Sequence, residues 1–282
     1  MTGRRDVWLV LAEQFSTRVL VDTGIAARLD DALGSRLRTV FVNEHVEALW
    51  GERLPGRPIS QSELMPFAVP LREKVVRRAD IWLDRRFGFW PLAIRLNERE
   101  GFHADRMLPG HKVGFLDTAR RGWLPRSSRT DALAERWHFS TRRYVPRALV
   151  ERMAAECGGL VLANLQMREG VRFLNAARRL RLPTVGYVAS WDHTVGKGVI
   201  SSHVDRYVVQ NEIMRDDLER FHGIDGQRIV VTGWPQTDVF ARPRPRADYE
   251  ALLARLGLPT DRPVVLVTGN SPTNTPYEGR LV

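Results

Sequence analysis

Thr184–Gly233, TVGYVASWDHTVGKGVISSHVDRYVVQNEIMRDDLERFHGIDGQRIVVTG, decides the fold class. It holds three short apolar runs, TVGYVAS (Thr184–Ser190), RYVVQ (Arg206–Gln210) and RIVVTG (Arg228–Gly233). Runs this short and this rich in valine and other β-formers read as buried strands. Between the second and third, Ile213, Met214, Leu218 and Phe221 recur at helical spacing, with Asn211 placed as N-cap and Gly223 at the C′ position. Strand, helix, strand is the unit of a parallel, doubly wound α/β sheet. Ligands of such sheets lie beyond the carboxyl ends of the strands. Ser190–Gly198, Gln210–Glu212 and Gly233–Asp238 therefore share one edge.

The same alternation extends towards the amino terminus. RALVERMAAE leads into GLVLAN (Gly159–Asn164), and a helix through Val171, Leu174, Ala177 and Leu180 leads into the quoted stretch. VWLVLA (Val7–Ala12), a helical pattern through Val19, Leu20, Ile25, Leu29 and Leu33, and TVFV (Thr39–Val42) open the sheet. From Ser62 to about Glu100 the pattern is helical and amphipathic, so residues of about 60–147 are expected to form a helical, basic insertion. Residues 1–240 then form one Rossmann-like domain, and ARPRPRA, residues 241–247, is a linker. Residues 248–282 offer a helix with Asp248 as cap and Gly257 as terminator, then a strand at Val264–Thr268. One helix and one strand cannot bury a core, which reads as a second domain that is truncated.

The chain has 282 residues, 43% of them hydrophobic, enough for a sizeable core. A single cysteine, Cys157, excludes a disulfide framework and a CxxC metal site. Without an apolar run of about 18–20 residues or a secretory leader, the expected location is the cytoplasm. The net charge is +10 and the bases are nearly all arginine, with only Lys74, Lys112 and Lys197 as lysines. Thr118–Arg147 holds eight arginines interleaved with Trp123, Trp137, Phe139 and Tyr144. Such a face suits anionic lipid headgroups or single-stranded nucleic acid, and equally a solvated surface over packed rings.

The loop SWDHTVGKG (Ser190–Gly198) looks like a phosphate cradle and fails the test for one. A Walker loop needs a glycine five residues before the Gly-Lys pair, where Trp191 stands, and Ser or Thr after the lysine, where Gly198 stands. No GxGxxG follows the first strand, so a dinucleotide cofactor is not expected. His193, His203 and His222 lack metal-ligand spacing and read as surface or capping residues. Asp192 and Lys197, an acid and a cation on one glycine-flanked loop, can meet a hydroxyl or a phosphate, against the plainer reading of a turn cap and a solvated lysine.

SWDHTVGKG, the strand end Asn211-Glu212, the turn His222-Gly223-Ile224 and TGWPQTDVF (Thr232–Phe240) resemble GT-B-type glycosyltransferases. The nearest resemblance is to bacterial surface-carbohydrate transferases and CDP-glycerol glycerophosphotransferase-like proteins. His193 departs from their pattern, which more often has asparagine there. The resemblance implies two facing Rossmann-like domains, the first on the acceptor side and the second on the nucleotide side, with no metal and no cofactor beyond a nucleotide-activated sugar or CDP-glycerol as substrate. It implies Glu13, the first choice for a base against the plainer reading of a solvated or capping carboxylate, and Asp192 as catalytic candidates, and Gln14, Ser190, Trp191, Lys197, Asn211, Glu212 and Gln236 as substrate-binding ones. Gly269, Asn270 and Ser271 stand as a donor-phosphate loop.

The partners expected on this basis are a nucleotide-activated donor and a polysaccharide or lipid-linked acceptor. No specific nucleic acid is expected. Thr118–Arg147 is the candidate for peripheral attachment to the inner face of the cell membrane. Lacking most of the donor half, the chain is expected to be inactive alone. A GT-B-like nucleotide-sugar epimerase and a non-catalytic acceptor- or nucleic-acid-binding protein are the rival readings.

Overall fold

The computed structural model describes residues 5–42, 44–54, 56–60, 64, 71, 72, 74–76, 78, 79, 136, 140, 144–195, 200–241, 243, 245–266 and 268. The chain divides into two units, Met1–Asp238 and Val239–Val282. In the first, the strands are β1 (Asp6–Leu11), β2 (Leu37–Phe41), β3 (Arg57–Ile59), β4 (Cys157–Leu162), β5 (Thr184–Tyr187), β6 (Arg206–Val209) and β7 (Ile229–Val231). Its main helices are α1 (Gln14–Asp22), α2 (Ile25–Leu33), α3 (Glu44–Trp50), α4 (Arg147–Glu156), α5 (Arg168–Leu180) and α6 (Glu212–His222).

The strands form one seven-stranded sheet in the order β3-β2-β1-β4-β5-β6-β7, every pair parallel. The chain winds from β1 out to β3, returns through β4, and winds the other way to β7. Order reverses between β1 and β4, which is where an open α/β sheet parts its loops into a crevice. The α/β class and parallel doubly wound sheet are those expected from Thr184–Gly233.

Strand alternation sorts the core into two layers. Trp8, Val10, Leu160, Leu162, Tyr207 and Val209 face one side, where Leu149 and Met153 of α4, Phe173 and Leu174 of α5, and Met214 and Leu218 of α6 cover them. Leu9, Leu11, Leu37 and Phe41 face the other, against Leu20 of α1, Ala26 of α2, and Val46 and Trp50 of α3. Crossovers of one hand place helices on opposite faces once the winding direction reverses.

Several boundaries differ from the sequence reading. β3, with Pro58 at its centre, is not foreseen; a proline lacks a ladder donor, and β3 stands at the sheet edge where that loss is tolerated. β5, β6 and β7 stop at Tyr187, Val209 and Val231, short of Ser190, Gln210 and Gly233, because the chain there turns out of the sheet into the edge loops. Within the expected insertion, the described positions of residues 71–79 are helical and exposed, and Leu64 is buried. Most of Thr118–Arg147 lies outside the described residues.

In the second unit α7 spans Arg246–Arg255 with Pro245 as N-cap, so Asp248 sits in the first turn instead of capping. Gly257, at φ 68°, closes the helix as expected, with Leu258 N–H on Leu253 O at 2.9 Å and Gly257 N–H on Ala254 O at 3.1 Å. The strand expected at Val264–Thr268 is absent from its four described residues, and Val265 and Leu266 are exposed. Among the described residues this run has no ladder partner to hold it extended and buried.

Candidate functional site

At the reversal between β1 and β4 the loops are tied by side chains. Glu13, directly after β1, is the N-cap of α1: its carboxylate accepts from Phe15 N–H at 2.6 Å, and from Ser16 N–H at 2.7 Å and Ser16 Oγ at 2.5 Å. Unpaired N–H groups and the positive end of the helix dipole favour an acid there. Asn164, buried just beyond β4, donates through Nδ2 to Glu13 Oε1 at 3.4 Å and accepts Gln166 N–H on Oδ1 at 2.9 Å. Gln166 Nε2 reaches the carbonyl of His193 at 2.8 Å. One chain of bonds thus joins the loops after β1, β4 and β5.

Close packing makes this possible. A Cβ on Gly186 would stand 2.5 Å from Leu165 Cδ2 and 2.9 Å from its Cγ, and one on Gly170 would stand 2.7 Å from the carbonyl oxygen of Asn164. Glycine at these positions lets the β4 loop lie on β5 and against the start of α5.

The Ser190–Gly198 loop begins with a turn of 3-10 helix, Trp191–His193, held from α6. Thr194, buried, donates from Oγ1 to Asp217 Oδ2 at 2.6 Å. His222 lies 2.7 Å through Nε2 from the carbonyl of Thr194, while its Nδ1 accepts Ile200 N–H at 2.9 Å. Accepting at Nδ1 and donating at Nε2 defines the neutral Nε2–H tautomer. His222 is therefore buried, contrary to a surface role, and joins both sides of the segment that contains Lys197.

Beyond β6 and β7, two glutamines meet one oxygen. Gln210, buried, donates to Ala189 O at 2.8 Å, and Gln236 donates to the same oxygen at 3.2 Å. Asn211 caps α6, accepting Met214 N–H at 2.9 Å, as foreseen. Glu212 is exposed and pairs with Arg215 at 3.4 Å. Tyr187, buried, has its phenol pushed up by burial, with neighbouring Gln210 opposing.

Of the sequence candidates, Glu13, Ser190, Trp191, Asp192, Asn211, Glu212 and Gln236 stand on loops or helix starts at the carboxyl edge of the sheet. Gln14, the first residue of α1, is exposed. Lys197 and the Gly269, Asn270, Ser271 loop lie outside the described residues. Asn164, Gln166, Thr194 and His222 were missed, since nothing in their local spacing shows that they meet. Among the described residues no group of three or more His, Cys, Asp or Glu can hold a metal ion, and no helix is long and apolar enough to cross a membrane.

Residues 183–273 match the sequence profile of the CDP-Glycerol:Poly(glycerophosphate) glycerophosphotransferase family. This third of the chain is glycerophosphotransferase-like. The match falls within the parallel α/β chain, on its later strands. The glycerophosphotransferase-like segment begins just before β5 and runs through β6, α6, β7 and α7. No curated protein matches the chain in sequence. Three solved structures are similar at low identity. UDP-N-acetylglucosamine 2-epimerase from Rickettsia bellii has a TM-score of 0.44 and 11% identity over 90% of this chain and 52% of that one. HepE from Anabaena, solved with UDP and glucose, has 0.42 and 10% over 90% and 50%. A glycosyltransferase from Rickettsia africae has 0.42 and 10% over 93% and 52%. The chain spans about half the length of these proteins.

Proposed function

We propose that the chain serves the acceptor side of a transferase that moves glycerol phosphate or a sugar from a nucleotide-activated donor to a cell-surface polysaccharide or lipid-linked acceptor. The observation that carries this is where the glycerophosphotransferase-like segment falls. Residues 183–273 include the loops after β5, β6 and β7, so the match covers that half of the edge at which a parallel sheet binds its ligands.

Transfer needs a group to take the proton of the attacking hydroxyl. Glu13, after β1, and Asp192, on the 3-10 turn after β5, are the candidates for that role. The oxygens of Glu13 already serve three hydrogen bonds at the start of α1, and a base there would break its own cap. Lys197, on the same loop, is the candidate to face a phosphate.

The test incubates the chain with CDP-glycerol or a UDP-sugar, with and without poly(glycerol phosphate), and follows nucleotide release and acceptor binding. Saturable acceptor binding weakened by Asp192→Asn, or acceptor-dependent nucleotide release, supports the reading. Conversion of the donor sugar without any acceptor overturns it in favour of an epimerase.

A further inference from the structure

Beyond the bonds that tie its loops, the carboxyl edge of the sheet has a second property. β1, β4, β5, β6 and β7 are each followed within five residues by an exposed large apolar side chain: Phe15, Met167, Trp191, Ile213 and Trp234. The two indoles are 61% and 47% exposed. Exposed apolar groups gathered at one end of a domain and rimmed by polar ones mark a surface that meets a ligand.

Trp191 and Trp234 stand two strands apart, about 10 Å by strand spacing. The bond from Gln236 Nε2 to Ala189 O joins their loops: Trp234 lies two residues before the donor, and Trp191 two residues after the acceptor. That bond also fixes the Gln236 amide. With Nε2 turned to a carbonyl oxygen, Oε1 points elsewhere, closed from solvent and without a hydrogen-bond partner. An amide oxygen buried without a donor costs about 1–3 kcal/mol. It can accept a hydrogen bond and cannot give one.

We propose that Trp191, Trp234 and Gln236 form a subsite for the sugar or polyol units of the acceptor and not for its phosphates. A carbohydrate presents C–H faces that lie on indole rings and hydroxyl donors that an amide oxygen needs. A phosphodiester link of the acceptor has no hydroxyl and so offers Oε1 no donor. Gln236 Oε1 is closed in this conformation, so a hydroxyl reaches it with a shift of the turn that carries it. The inference rests on the acceptor reading above and sharpens it by naming which part of the acceptor is bound here.

The test is fluorine NMR of the chain labelled with fluorotryptophan. There are eight tryptophans, so Trp191→Phe and Trp234→Phe assign the two resonances. The probes are maltohexaose, poly(glycerol phosphate), dimethyl phosphate as the phosphate without a hydroxyl, and phosphatidylserine vesicles. Saturable shifts of both resonances are expected with the first two and none with dimethyl phosphate. Gln236→Leu should weaken the binding about five- to tenfold, as for a lost hydrogen bond to a hydroxyl. Gln210 still holds Ala189 O in that variant. Trp234→Ala, at an exposed position, should reproduce the loss without depending on the stability of Gln236→Leu. Shifts with dimethyl phosphate alone or vesicles alone, or none with either hydroxyl-bearing probe, overturn the subsite. Glycan-induced shifts together with acceptor-independent conversion of the donor sugar would sink the transferase reading and leave the subsite standing; acceptor-dependent nucleotide release with unmoved tryptophan resonances would do the reverse.

Discussion

His222 Nε2 lies 2.7 Å from the carbonyl oxygen of Thr194, inside the protein, although the residues are 28 apart in sequence. With Nδ1 on Ile200 N–H, one imidazole satisfies a backbone acceptor and a backbone donor on either side of the loop that carries Lys197. Buried backbone groups left unpaired cost about 1–3 kcal/mol each. His222→Leu should lower stability to urea by about 2–4 kcal/mol on that basis. His222→Asn can keep the Ile200 bond and His222→Gln the Thr194 bond, so each should cost less. A leucine variant as stable as the parent would show that the clamp contributes nothing.

Glu13 is placed by its cap. Glu13→Ala removes the acceptor for Phe15 and Ser16 N–H, and should destabilise the chain by about 1 kcal/mol, while Glu13→Gln keeps an oxygen there and should cost less. Chemical denaturation measures both.

Gly186 and Leu165 set the fit of the β4 loop on the sheet. An added methyl would overlap three atoms of Leu165 within 2.9 Å, so Gly186→Ala should destabilise by about 1–3 kcal/mol, as overpacking does. Shortening the partner should relieve it: Gly186→Ala with Leu165→Ala should fall short of the two single losses added together. Additive losses in a double-mutant cycle would show that the two positions do not compete for the space.

Cys157 starts β4, is buried, and gives its thiol hydrogen to Gly159 O at 3.2 Å. Burial pushes its pKa up to about 11 from 9.0, with the backbone bonds opposing. The thiolate is the reactive form, so iodoacetamide at pH 8 should leave the native chain unmodified and label it in guanidinium. The folded pKa exceeds the unfolded one, so this contribution to stability is whole below pH 9 and is lost as pH rises towards 11. Cys157→Ala should flatten stability across that window.

Much of the sheet was legible because its information is local. Runs such as WLVL and YVVQ are short, apolar and rich in β-formers, and Asn211 and Gly223 punctuate α6 through their own backbone needs. β3 was not legible: three residues with a central proline carry no strand signal, and only pairing with β2 makes them one. The strand expected at Val264–Thr268 is absent from its described residues for the converse reason, since among the described residues it has no neighbour and local propensity alone forms no ladder.

The sequence by itself determined the α/β class, the parallel winding and which loops share the carboxyl edge, because periodicity, caps and chain direction are properties of nearby residues. Tertiary structure alone decided that Asn164 and Gln166 link three loops, and that His222 is buried between Thr194 and Ile200. It also brought Gln210 and Gln236 to the single oxygen of Ala189. These partners lie tens of residues apart or on different strands, and a hydrogen bond depends on where atoms come to rest, which spacing along the chain does not encode.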